Sequence, residues 1–174
     1  SRFGAGARNF LNKFLGNEAK PLDSGAVKEI TEACRTMSEQ KTGALIVIPH
    51  QISLDFVIET GDRIDASINR RLIMNLFFKN SPLHDGAVII DNHIVAARCT
   101  LPITERTDIP AKFGMRHKAA IGITEETDAD VIVVSEETGG IAFGHGGTLT
   151  EINNINELKL KLGASLSSGQ EEKQ

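Results

Sequence analysis

Apolar positions recur along this chain in two rhythms, one helical and one extended, and the change from one to the other marks out the elements. Over residues 3–15, Phe3, Ala7, Phe10, Leu11, Phe14 and Leu15 share one helical stripe, while Arg2, Arg8 and Lys13 lie off it. A basic amphipathic helix of this kind either lies on a membrane surface or packs on the domain that follows. Gly16, Asn17 and Pro21 break the pattern. A second helix is predicted to start at Asp23 or Ser24, either of which can cap it, with Ala26, Val27, Ile30, Ala33, Cys34 and Met37 at helical spacing. Ala44 to Ile48 is an unbroken apolar run, which predicts a strand buried on both faces.

Residues 52–59 read as a further extended segment, and Gly61 turns the chain. A third helix is predicted over Ile64 to Phe78, with Ile68, Leu72, Ile73, Leu76 and Phe77 inward. Asn80-Ser81-Pro82 is a turn, Ala87 to Ile90 a short strand, Asp91-Asn92 a hairpin turn and Ile94 to Thr100 the return strand. Pro102 to Pro110 is loop-like, and Arg116 to Thr124 reads as a short helix. Val131 to Ser135 is a buried strand, followed by a turn over residues 136–140 and a strand over Ile141 to Phe143. Residues 153–162 form a last helix, and the polar tail from Gly163 is expected to be disordered. The mixture predicts an α/β fold: a central, mixed, twisted β-sheet flanked by helices.

Composition changes this picture little. The 174 residues suit one domain, and 40% hydrophobic with 24% charged residues is an ordinary globular balance. A net charge of −4 offers no global field for nucleic acid, so a polyanionic ligand has to be met by a local positive cluster. Cys34 and Cys99 sit in apolar runs without metal or redox spacing and read as core residues in a reducing compartment. With no Trp and no Tyr, stacking on a base comes from Phe or not at all. No apolar run is long enough to span a membrane, and no signal peptide is visible. Ser1 opens the chain without a Met, which reads as an excised fragment.

Three segments carry polar residues that a fold alone does not require. Leu83-His84-Asp85-Gly86-Ala87 opens a buried strand with an imidazole and a carboxylate suited to a divalent metal, or it is simply an Asp-Gly turn. Gly114-Met115-Arg116-His117-Lys118 puts three basic residues at a helix start, where a bound phosphate would explain them and a solvated basic stretch would also do so. Ser135-Glu136-Glu137-Thr138-Gly139 closes another buried strand with paired carboxylates, which either hold a metal or form an exposed acidic turn. Together the three make the kit for nucleotidyl or phosphoryl transfer: carboxylates and imidazole for Mg²⁺ or Mn²⁺, and a basic cluster for a triphosphate. There is no Walker A spacing; the glycines at 139–140 and in Gly144-His145-Gly146-Gly147 suit turns.

These residues resemble the diadenylate cyclase family. His84-Asp85-Gly86-Ala87 is similar to its Asp-Gly-Ala motif, and Arg116-His117-Lys118 to its Arg-His-Arg motif, the likeness running on through Glu125. Ser135-Glu136-Glu137-Thr138-Gly139, Leu101-Pro102-Ile103 and Gly43 to Ile48 match as well, so that the resemblance covers roughly residues 20–162. It implies an enzyme that condenses two ATP into cyclic di-AMP and releases two pyrophosphates, metal-dependent, at the interface of a face-to-face homodimer. The alternative is a catalytically weak or dead homologue that binds ATP or cyclic di-AMP.

By the same resemblance, Asp85 lies near the attacking 3′-hydroxyl, and Gly86 and Ala87 meet the ribose. Backbone at Leu101 reads the adenine. Met115, Arg116, His117 and Lys118 hold the triphosphate, with Arg116 and His117 counted with Asp85 as catalytic, and Ser135 and Glu136 line the phosphates. His84, Asp85 and Glu137 are the implied ligands of Mg²⁺ or Mn²⁺. Three departures bear on affinity and rate: Lys118 for the usual Arg, Met115 for Thr, and Thr100 where membrane-type members often have Tyr. Residues 1–20 look like a juxtamembrane segment ahead of a catalytic domain over residues 21–162 and the tail 163–174. The resemblance therefore implies a soluble fragment whose full-length protein is anchored in the cell membrane, with the domain cytoplasmic. It also implies a regulatory membrane protein and a sugar-phosphate mutase as partners, and no nucleic acid.

Overall fold

The computed structural model describes residues 25–171. The stripe over residues 3–15 and the capping residues Asp23 and Ser24 lie outside them. Helix α1 (residues 25–40) buries Ala26, Ile30, Ala33, Cys34 and Met37, the stripe read from the sequence. It leads into β1 (Ala44–Ile48), buried at every position. There follow α2 (Asp55–Ile58), β2 (Asp62–Ala66), α3 (Arg70–Phe77), β3 (Ala87–Ile90) and β4 (Ile94–Cys99). The second half comprises α4 (Met115–Glu126), β5 (Asp130–Val134), β6 (Ile141–His145), β7 (Thr148–Ile152) and α5 (Ile155–Glu171).

The strands form one seven-stranded sheet in the order β2-β4-β3-β1-β5-β6-β7. β1 runs parallel to β3 and antiparallel to β5, and the remaining pairs are antiparallel, so the sheet is mixed as expected. Two-residue alternation sends side chains of β1 to both faces. Ala44, Ile46 and Ile48 pack with Ile30, Met37, Phe77, Leu158 and other residues of α1, α3 and α5. Leu45 and Val47 pack on the other face with Leu54 and Val57 of the α2 turn and with Ala119, Ala120 and Ile123 of α4. The sheet is thus covered on both sides, which is why its central strands carry no polar alternation.

Four local expectations are corrected. Residues 52–59 are not extended: Asp55–Ile58 is one helical turn. Leu54 and Val57, three apart, are the pair that enters the core, while Ile52 and Phe56 stay about half exposed. Ile64 to Phe78 is not one helix, because its first part is the edge strand β2, paired irregularly with β4. The helix begins only after Asn69, whose side chain accepts hydrogen bonds from the Arg71 and Leu72 amides at 2.9 and 3.2 Å.

Strand β7 was not anticipated. Its residues are mostly polar and only Leu149 and Ile152 approach a core. Register makes it a strand: His145 pairs with Thr148 across Gly146 and Gly147, both at positive φ, a two-residue hairpin loop that glycine allows. The tail from Gly163 is also helical as far as Glu171, continuing α5. Leu158, Leu162 and Leu166 recur at four-residue spacing and are buried, and that apolar stripe carries the helix through its glycine and serines.

Candidate active site

Antiparallel β5 and β4 bring their C-terminal ends to the same edge of the sheet as the N-terminal ends of β1 and β3, as the pairs Ala44–Val134 and Ala87–Cys99 show. At that edge lies a cleft of about 970 Å³, closed on one side by the first turn of α4. His84, Asp85 and Gly86 enter it ahead of β3; Leu101 follows β4; Met115, Arg116 and His117 come from α4; Ser135, Glu136 and Glu137 follow β5. The three polar segments singled out in the sequence therefore line one space. Of the named candidates, Ala87 and Lys118 do not line it: Ala87 is buried in β3, and Lys118 stays off the lining although His117 and Ala119 on either side of it belong to it.

Each wall has a local cause. Gly86 sits at φ +93, and a Cβ there would stand 2.7 Å from the Cys99 carbonyl oxygen, so only glycine lets the chain turn into β3 this close to β4. That turn leaves the Asp85 side chain 83% exposed. The His84 ring lies at 2.7 Å from the Ser81 carbonyl oxygen through Nδ1. A carbonyl only accepts, so Nδ1 carries the proton. Nε2 then faces Asp85 Oδ1 at 3.2 Å. An imidazole nitrogen and a carboxylate oxygen side by side are donors that a divalent cation takes, so the pair suits one in both chemistry and placement. Glu137 lines the same cleft. Among the described residues, no three His, Cys, Asp or Glu side chains are gathered as a metal-holding group.

The acidic turn is held from behind. The Ser135 amide donates to the Gly140 carbonyl and the Gly139 amide to the Ser135 carbonyl, both at 2.9 Å. Ser135 Oγ accepts from the Glu137 and Thr138 amides at 3.2 Å, and Ser38 Oγ of α1 donates to the Gly139 carbonyl at 2.5 Å. Glu136 Oε2 is 3.5 Å from Arg116 Nη1.

The basic triplet divides on folding. Arg116 is a partly buried cation in the cleft. His117 is buried; its ring stacks on Phe113 with centroids 4.5 Å apart and planes 3° apart, and Nδ1 accepts from the Gly114 amide at 3.3 Å. Burial first, and then the neighbouring Arg116 charge, hold its pKa below the ordinary histidine value. A neutral ring with Nδ1 as acceptor leaves Nε2–H as a donor. No acidic residue stands in the first turn of α4 and no side chain of Gly114 caps it, a helix start suited to an anion. Cys99 lines the cleft, but burial pushes its thiol up to about 11, away from the thiolate form that a nucleophile needs. Sequence reasoning gave no role to Lys41, Gly43, Phe78, Lys79 and Lys112, which also line the cleft. Gly43 opens a segment already matched to the family, but the other four flank elements rather than form motifs, and only topology signals them.

A family model described as DAC, DisA bacterial checkpoint controller nucleotide-binding, matches residues 31–149, more than half of the chain. The chain belongs to the DAC family. Cyclic di-AMP synthase CdaA of Bacillus subtilis (strain 168) is 40% identical over 141 residues, covering 79% of this chain and 52% of that protein. A diadenylate cyclase of Listeria monocytogenes (strain 10403S) is 44% identical over 145 residues, covering 83% of this chain and 53% of that protein. The DAC chain thus spans about half the length of these curated relatives. The crystal structure of a double mutant of DacA from Staphylococcus aureus superposes with a TM-score of 0.80 at 35% identity, covering 82% of this chain and 96% of that one. A structure named as a hypothetical membrane spanning protein from Bacillus cereus gives 0.70 at 42% identity, covering 73% and 63%.

Proposed function

We propose that this DAC domain is a diadenylate cyclase that condenses two ATP into cyclic di-AMP with release of two pyrophosphates. One observation carries the reading: Asp85, Arg116 and the Glu136-Glu137 turn, far apart in sequence, line one cleft beside an anion-ready helix start. Its relatives bear the names of cyclic di-AMP synthases and diadenylate cyclases.

In this reading the adenine rests by the backbone of Leu101, the ribose by Gly86, with Ala87 buried behind it, and the triphosphate by Met115, Arg116, His117, Ser135 and Glu136. Lys118, off the lining, adds only its charge at longer range. Asp85 accepts the hydrogen of the 3′-hydroxyl and orients its oxygen. That oxygen forms a bond to the α-phosphorus of the facing nucleotide, the bond from this phosphorus to the pyrophosphate oxygen breaks, and the proton leaves to solvent. Arg116 neutralises charge developing on the phosphate, and His117 Nε2–H donates to a phosphate oxygen. Mg²⁺ or Mn²⁺ held by His84, Asp85 and Glu137 would supply further charge neutralisation and lower the pKa of the hydroxyl. Since one cleft holds one nucleotide in this scheme, two chains must face each other, and catalysis belongs to a homodimer.

We propose a membrane anchor for the full-length protein, with the domain on the cytoplasmic side; the name of the Bacillus cereus relative supports the anchor, and the side is what the family resemblance implies. Among the described residues no helix is long and apolar enough to cross a membrane. A regulatory membrane protein and a sugar-phosphate mutase are the partners that the family resemblance implies.

The test is incubation with ATP and Mg²⁺ or Mn²⁺, with products resolved by chromatography. Cyclic di-AMP is expected. ADP or AMP alone would indicate a hydrolase, and unchanged ATP a sensor; either result overturns the reading.

A further inference from the structure

The expected phosphate grip rested on three basic residues, but folding leaves only one fixed positive charge of that triplet in the cleft. His117 is buried with its pKa held down, and Lys118 is not part of the lining. The acidic turn opposite supplies Glu136, which already lies 3.5 Å from Arg116. A triphosphate carries about four negative charges when ionised, so Arg116 alone leaves this wall short of cations.

Lys112 lies on the same wall, two residues ahead of the α4 cap, and lines the cleft. Its ammonium stands 5.7 Å over the Phe113 ring, which is itself fixed by stacking on His117. The ammonium is bonded to Glu151 Oε1 on β7, outside the cleft lining. Both side chains of that pair are more than half exposed, 59% and 58%. Exposed ion pairs of this kind contribute little and exchange partners readily.

We propose that Lys112 is a nucleotide-binding residue, a second cation for the polyphosphate on the α4 wall, parked on Glu151 until the phosphates arrive. The inference rests on the reading of the cleft as an ATP site. It makes Glu151 a competitor for the ammonium: an anion bound in the cleft and the Glu151 carboxylate draw on the same charge. The two side chains should therefore act on affinity in opposite directions, which a merely structural ion pair would not do.

The probe is 3′-deoxy-ATP, which lacks the hydroxyl needed for cyclisation, titrated into the whole chain with Mg²⁺ by calorimetry. Lys112→Ala should weaken binding by about tenfold, the effect of losing one charge-assisted contact. Glu151→Gln should tighten it, and the double variant should match Lys112→Ala. With 3′-deoxy-AMP, which lacks the β- and γ-phosphates, the Lys112→Ala effect should shrink to less than about twofold. Unchanged affinity in Lys112→Ala, or equal weakening in both single variants, overturns the role of Lys112 and leaves the ATP site standing. Failure of the wild-type chain to bind 3′-deoxy-ATP overturns the ATP site itself.

Discussion

The Arg116 guanidinium occupies the space that a side chain at Gly43 would need: a Cβ built at Gly43 would lie 2.4 Å from Arg116 Nη1 and 2.5 Å from its Cζ. The residue just ahead of β1 thus shapes the seat of the Arg116 cation in the cleft. Because the clashing atoms are the far end of a flexible side chain, Gly43→Ala should leave the fold intact and displace the guanidinium. A charge-assisted contact of about 1.5–3 kcal/mol is at stake, or roughly tenfold to a hundredfold in affinity. ATP titration should show that loss, with Arg116→Ala giving a similar one. A Gly43→Ala variant that binds ATP like the wild type would remove Gly43 from this role.

Asp85 projects from its turn into solvent, and its side chain supports no other part of the fold beyond the 3.2 Å approach to His84. Asp85→Asn should therefore change folding stability by less than about 0.5 kcal/mol. It should abolish cyclic di-AMP formation while largely sparing ATP binding. Chromatography of the products alongside titration separates the two effects, and wild-type turnover in the variant would take Asp85 out of the mechanism.

His117 makes stability depend on pH near neutrality. Its pKa in the fold is lowered, chiefly by burial and then by Arg116. Between that lowered value and the ordinary one near 6.5, the unfolded chain binds the proton and the folded chain does not. Stability is thus full above the ordinary histidine value and is lost as pH falls through the window beneath it. Thermal unfolding followed from pH 8 downward, where the lowering should be about 1 kcal/mol for each unit of pKa shift, should show a decline that His117→Gln removes. An identical profile in the variant would show that His117 does not set it.

At the end of β5 opposite the cleft, Asp130 is buried in a polar junction that ties α5 to β5. Its Oδ2 accepts from Ser165 Oγ at 2.6 Å and lies 2.8 Å from His50 Nε2, and its Oδ1 lies 2.6 Å from His145 Nδ1. Burial pushes its pKa up, but the hydrogen bonds from His50, Ser165 and His145 outweigh burial and hold it below the ordinary carboxylate value. The resulting stability is present above the ordinary value and is lost as pH falls through the depressed one. Asp130→Asn should cost about 1–3 kcal/mol, since an amide cannot accept from all three donors. Ending the chain after Leu162 should also lower the melting temperature, because it deletes the Ser165 bond and the buried Leu166. A chain ended there that melts like the full one would show α5 beyond Leu162 to be dispensable.

The elements best read from the sequence are those whose apolar pattern is decided by burial alone. α1 shows its stripe and β1 its unbroken run because each packs against the centre of the sheet. β2 and β7 escaped notice because edge strands are held by backbone pairing, which leaves little mark on side-chain type. The end of α5 escaped because Gly163 and its serines look like a tail until Leu162 and Leu166 find their core.

The chemistry present can be read from the chain alone: an imidazole and carboxylate before β3, a basic helix start and an acidic turn after β5. Side-chain type and local spacing are properties of the chain and need no partner to be read. Which of these groups share a cleft, and in what state, follows from the fold. Strand order set the Asp85 turn, the Arg116 helix start and the Glu136 turn on one edge of the sheet. Packing made His117 a buried donor, left Lys118 off the lining and brought Lys112 onto it. Charge and protonation depend on solvent and on neighbours distant in sequence, and those exist only once the sheet has formed.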